Sequence, residues 1–426
     1  MKNRQFLYAL LIAGMSLGTA WAARGQFGHT QGAAWAGGIG ALSIVLLAKR
    51  ADWYTKMFQL TLASAVGWGI GGIISYGIVV GYGRGTEFGN VYYGLLMLFV
   101  IGGFFGLLGG GLFGLVLSGT PEKPIKWPQI LVEMTAGGVL FYYFLIEELG
   151  WLMTPPRSEA WAACFGMAVA LIWFMLRNKY YSAIRVAIFA GLGGAFGFSF
   201  GNFLHVIGSI LELKFNFWNV MEYSIGFFGG IGMAYGTFTA KWPETHLDVK
   251  REKVLAPIII IAIIIPFLVW DQSFGTERLM QIFAQTGSMK DGANIVAQVQ
   301  WLSFLLVATF GAFCIHRFYN IKADITSYPR EDVYLFFTGI FGLYIIFSIL
   351  VTMAFMSLYR VEQYLYIINF AIITLLINKF QPQFSNRGLN LNRWLVNLLF
   401  VLAFLAILTA IAVSSHGELT GSQIRF

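Results

Sequence analysis

Apolar runs, broken by short polar stretches, fill almost the whole chain. Reading them between the charged positions predicts helices over 6–24, 32–48, 58–80, 92–118, 128–147, 159–176, 183–204, 218–239, 254–271, 297–315, 332–356, 361–378 and 394–413. A helix needs roughly 20 mostly apolar residues to cross a bilayer. The expected fold is therefore all-α: a polytopic integral membrane bundle of about 13 transmembrane helices.

One break is too polar for its length. MSLGTAWAARGQFGHTQGAAWAGG, residues 15–38, joins the first run to the second. Between Arg4 and Lys49 there is room for two spans of roughly 20 residues and a turn of about four. The polar stretch from Arg24 to Gln31, with Gln26 and His29 inside it, is longer than that turn. Part of it is expected at membrane depth, where irregular backbone must be buried in protein or line a wet cavity. The same region has the layout of a signal peptide: basic MKNR, apolar FLYALLIAGMSLG, then Ala20-Trp21-Ala22. A counterpart later in the chain argues for a retained span instead.

Composition supports the membrane reading. Hydrophobic residues make up 58% and charged residues 11%, against about 25% charged in a soluble domain. The 50 glycines suit helices that approach one another closely. The net charge of +8 is spread over short loops, so no nucleic acid partner is expected. With the N-terminus inside, eight basic residues fall in outer segments: Arg24, Arg84, Arg157, Lys214, Arg278, Lys290, Arg360 and Arg425. The other 20 of 28 fall inside. The bias supports N-in, C-out, in a membrane of the bacterial inner type. The outer stretch TERLMQIFAQ reads as a short surface helix. Cys164 and Cys314 are read as small buried residues that do not pair.

The runs also suggest duplication. AWAGGIGALSIVLL at 34–47 resembles AWAACFGMAVALIW at 160–173, VGWGIGGIISYG at 66–77 aligns with GLGGAFGFSFG at 191–201, and VIGGFFGLLGGG at 100–111 with SIGFFGGIGMAYG at 224–236. Residues 1–124 and 125–250 thus read as parallel four-helix repeats, with 251–426 a five-helix region whose LVWDQSFG hints at a divergent third copy.

Candidate chemistry gathers at the outer ends of the spans. Glu147 and Glu148 end the fifth span where Arg24 ends the first, and as a lock between repeats they are the expected partners of Arg24, with Asp271, Asn202, His205 and Glu222 as further candidates. Asp271 ends the ninth span. Asn202 and His205 end the seventh in GNFLH, and Glu222 opens the eighth. Together with Gln26, His29 and Gln31 they are read as one polar layer that binds substrate. Plainer roles compete: Arg24 as a lock between repeats, His29 capping backbone, His205 as an interfacial side chain, Glu133 as a structural carboxylate. The glycine-rich stretches lack the lysine and the strand of a phosphate loop. No cofactor or metal motif is present, and no HExxH or GxSxG.

These features favour a transporter for a small polar or anionic solute, although the polar layer is shallow and the first eight spans carry almost no midplane charge. The alternatives are a transferase or hydrolase at the outer leaflet, with a histidine as general base, and a membrane subunit of a larger complex.

Overall fold

A computed structural model describes residues 2–245, 253–286, 291–319, 327–386, 388 and 390–426. Of the basic residues counted above, Lys250, Arg251, Lys290, Lys322 and Arg387 lie outside this set. The fold is 77% helical, with no strand among the described residues. Among the described residues, ten helices are long and apolar enough to cross a membrane, as an integral membrane protein requires.

In chain order the helices are α1 (Lys2–Arg24), α2 (His29–Ala48), α3 (Ala51–Tyr54), α4 (Met57–Gly71), α5 (Gly77–Tyr82), α6 (Phe88–Ser118), α7 (Trp127–Tyr142), α8 (Ala160–Arg177), α9 (Tyr181–Ile210) and α10 (Phe217–Phe238). After them come α11 (Leu255–Ile259), α12 (Ile265–Ser273), α13 (Thr276–Gln285), α14 (Gly292–Cys314), α15 (Arg330–Thr352), α16 (Val361–Ile377) and α17 (Leu391–Ser415). Single π-helical stretches extend α7 over Tyr143–Glu148, join α11 to α12 over Ile260–Ile264, and extend α14 over Ile315–Tyr319.

Every expected run lies on helix, but three do not reach the length and apolarity of a span. The run over 58–80 is broken into α4 and α5, with residues 72–76 between them. The sequence there is GWGIGGIISYG, and each glycine weakens a helix by about 1 kcal/mol. Helix α10 is 22 residues long but is diluted by glycines and polar residues, and α16 has 17 residues. The stretch TERLMQIFAQ is indeed helical, as α13, and it buries Leu279 and Phe283 against the bundle.

Six helices close a ring. Helix α1 packs on α2, α2 on α4, α4 on α6, α6 on α9, α9 on α10, and α10 back on α1. Small residues set the spacing, as expected where helices associate through close packing. A Cβ added to Gly67 of α4 would lie 2.6 Å from the Cα of Gly109 on α6. Residues 1–124 supply four of the ring helices and 125–250 supply two. The pair α7 and α8 packs outside, chiefly against each other.

Aromatic rings fill the ring's centre. Trp68 is fully buried and rests on glycines of three other helices, Gly37, Gly109 and Gly229. Its ring centroid lies 5.0 Å from that of Trp21, which in turn lies 5.3 Å from Phe105. Helices α15 and α16 brace α1 and α2 from outside: Trp35 donates to the Ile340 carbonyl at 3.2 Å, and Tyr344 donates to the Gly32 carbonyl at 2.9 Å. Cys164 and Cys314 are both free and buried.

Candidate functional site

The turn between α1 and α2 comprises residues 25–28, the length that the spacing of Arg4 and Lys49 allowed. The polar residues in excess of it are absorbed by the helices. Arg24 closes the last turn of α1, and His29 opens α2. Arg278 of α13 crosses over this turn and donates to the Gln26 carbonyl at 2.5 Å. Gln26 and Gln31 are half-buried beside it.

Arg24 is only 2% exposed, so its charge has to be met inside the protein. Its partner is Glu222 on α10, with Nη2 to Oε2 at 2.7 Å. Tyr76, in the break between α4 and α5, completes a triangle. Its hydroxyl accepts from Arg24 at 2.5 Å and donates to Glu222 Oε1 at 2.6 Å. The guanidinium also lies over the Trp21 ring, 4.6 Å from its centroid. His29 stands on the solvent side, with Nδ1 3.3 Å from Arg24 Nη1. Arginine can only donate, so Nδ1 accepts and the imidazole is neutral, with its hydrogen on Nε2.

The expected pairing of Arg24 with Glu147 or Glu148 is therefore corrected. Both glutamates are exposed on the π-helical end of α7, and α7 packs on α8 outside the ring. A bilayer depth shared between two copies does not put side chains on facing helices. Asp271 is likewise exposed, on α12, and takes no part in the triangle. Glu133 does have a structural role: it receives hydrogen bonds from Arg177 at 2.5 Å and Gln129 at 2.7 Å.

A second arginine–histidine pair lies beside the first. Arg84, just past α5, donates to Nε2 of His205 at 3.1 Å and reaches the Ser209 hydroxyl at 3.5 Å. By the same reasoning His205 is neutral and carries its hydrogen on Nδ1. Trp218 joins the two pairs: its ring packs on that of His205 at 5.5 Å and stacks on that of Tyr76 at 6.5 Å. Asn202, fully buried, donates to the Val80 carbonyl at 3.3 Å. Arg84 has no carboxylate partner among the described residues. Burial lowers its pKa from the usual arginine value, but the group stays charged at any physiological pH.

The hydrogen-bond account of this end is lopsided. Five buried donors lack a partner among the described residues: Arg24 Nε, Arg84 Nε, Trp21 Nε1, Trp68 Nε1 and His205 Nδ1. One amide acceptor near them, Asn202 Oδ1, is also unpaired. Formal charge is lopsided in the same sense, because Glu222 offsets Arg24 and no carboxylate among the described residues offsets Arg84.

Sequence reasoning selected Arg24, His29, Asn202, His205 and Glu222, and the fold brings these five to one end of the ring. It passed over Arg84 and Tyr76. Arg84 was visible as one of the few basic residues on the outer side. Tyr76 carried no signal while 58–80 read as one unbroken helix.

No protein-family model, curated protein or solved structure matches this chain.

Proposed function

We propose that the protein is a transporter for a small anionic solute, in a membrane of the bacterial inner type and with the N-terminus inside. The half-buried Arg84, with no carboxylate among the described residues to offset it and with its Nε and the neighbouring His205 Nδ1 both unpaired, carries this reading. A monoanion beside Arg84 and His205 would balance the charge and give those two N–H groups an acceptor. Each of them costs about 1–3 kcal/mol while unsatisfied.

The surrounding architecture supports the reading. Broken helices commonly form transporter binding sites, and Tyr76 sits in the break between α4 and α5. The aromatic block of Trp68, Trp21 and Phe105 lies against the Arg24 triangle and closes the ring's centre, as a gate would. The parallel duplication read from the sequence belongs to the same proposal. A hydrolase or transferase is disfavoured, because a general base needs a free basic nitrogen. The basic nitrogens of His29 and His205 both already accept from arginine.

The test is anion uptake into proteoliposomes, using chloride, nitrate, formate, acetate and lactate in turn. Uptake of one or more by the wild type is expected, with Arg84→Gln inactive. Trp68→Ala removes one of the two tryptophans of the block and should leak the same anions without saturation, at a stability cost of about 3–5 kcal/mol. No uptake of any anion, with wild-type and Arg84→Gln vesicles alike, would sink the proposal.

A further inference from the structure

The other end of the molecule holds a cavity that the proposed transport site does not use. Helix α7 stands away from α4 and α6, and a cavity of about 830 Å³ lies in the gap. Val66 and Ile70 of α4, Val116 of α6 and Met134 of α7 form its apolar walls. Polar side chains line it as well, Lys56, Gln59, Thr120, Thr135 and Lys253, and no carboxylate does among the described residues. The face at its edge is bare, with the lining residues Leu131 of α7 62% and Val66 of α4 41% exposed. In a membrane protein such a face meets lipid, so the cavity opens toward the acyl chains.

Its length fits one leaflet. From Gln59 to Ile70 the α4 wall rises roughly 16 Å at 1.5 Å per residue, and half of the hydrocarbon core is about 15 Å. The polar end has unused capacity. Lys56 is buried and gives one hydrogen bond to the Gly119 carbonyl at 2.6 Å, which leaves two of its three N–H donors. Gln59 donates to the Lys253 carbonyl at 3.2 Å, holding that residue at the mouth. Burial pushes the Lys56 ammonium down to about 8. It is still a cation at neutral pH, and an adjacent anion would favour that form.

We propose that this cavity holds an acyl chain of an anionic phospholipid, with the lipid phosphate at the mouth beside Lys56 and Lys253. The walls match the chain in polarity and depth, and the two lysines match the headgroup in charge. The site is independent of the solute proposal, being built from other residues.

Thermal unfolding of the detergent-purified full chain tests it. Phosphatidylglycerol, phosphatidylcholine with the same chains, and glycerol 3-phosphate would each be titrated. Phosphatidylglycerol alone is expected to raise the midpoint. Lys253→Gln, on an exposed side chain, should raise the half-effect concentration about fivefold, one lysine near an anionic lipid surface being worth about 1 kcal/mol. Val66→Trp, which fills the groove from its exposed edge, should abolish the shift. Equal shifts with both lipids would reduce the cavity to a nonspecific apolar cleft and overturn the proposal. So would an equal shift with glycerol 3-phosphate, or a full phosphatidylglycerol response in both variants.

Discussion

Arg24–His29 and Arg84–His205 are built from the same two residue types, stand at the same end of the ring, and are joined through Tyr76 and Trp218. In each, the arginine donates to a neutral imidazole. They differ in their remaining partners. Arg24 is fully enclosed and faces a carboxylate and a phenol. Arg84 is half-buried and has only a histidine and a serine. The first arrangement is closed in charge and holds helices together: α1, α10 and the α4–α5 break all meet in it. The second has no carboxylate among the described residues. On the proposed function, the closed pair is scaffold and the open pair is where the anion would bind.

The largest expected effect falls on the closed pair. Removing one partner of a buried ion pair typically costs about 3–5 kcal/mol, because the other charge is left uncompensated. Glu222→Gln should lower stability by that order. The double substitution Arg24→Met with Glu222→Leu should cost less than Glu222→Gln alone. Thermal unfolding of the three proteins in one detergent checks this. If Glu222→Gln melts like the wild type, Arg24 is not held by Glu222 and the contrast between the two pairs collapses.

The next effect falls on the open pair and appears in binding rather than in stability. An anion at about 100 times its dissociation constant adds roughly 2.7 kcal/mol to a protein that binds it only when folded. Arg84→Gln should remove that increment for any anion that stabilises the wild type, while changing the ligand-free midpoint little. Glu222→Gln should show the converse, a lowered midpoint with part of the anion response retained. An anion response that survives in Arg84→Gln would move the vacancy away from Arg84.

How far the sequence could be read divides along the same line. The helical class and the room for only about four residues of turn between the first two helices follow from counting apolar residues between charges, although the second helix begins at His29 and not at residue 32. Position along the chain is a one-dimensional quantity, and the count of apolar residues reports it well. Which residues face one another is not contained in it. Glu147 and Glu148 shared a depth with Arg24 and matched it by repeat offset, yet α7 lies outside the ring and they point away. The break at 72–76 was hidden for a different reason. Glycines in a membrane run serve close packing and chain breaks alike, so GWGIGGIISYG reads the same way whether the helix continues or stops. Tyr76 and Arg84 sit on the far side of that break, and their roles were illegible until it was located.

The smallest expected effect is also the sharpest test of the contrast, because it converts one pair into the other. Ser209 lies one turn past His205 on α9, with its hydroxyl 3.5 Å from Arg84 Nη2. Ser209→Asp would give Arg84 the carboxylate that Arg24 already has. At a half-buried site such a pair is worth up to about 1 kcal/mol, so the ligand-free midpoint should rise slightly or stay level. The anion response and the uptake should fall together, since the new carboxylate occupies the vacancy and repels a second negative charge. Ser209→Asn, similar in size and uncharged, should leave both near wild type. Were the two variants to lose uptake equally, side-chain bulk beside Arg84 would be the cause, and the missing charge would not be what distinguishes the second pair from the first.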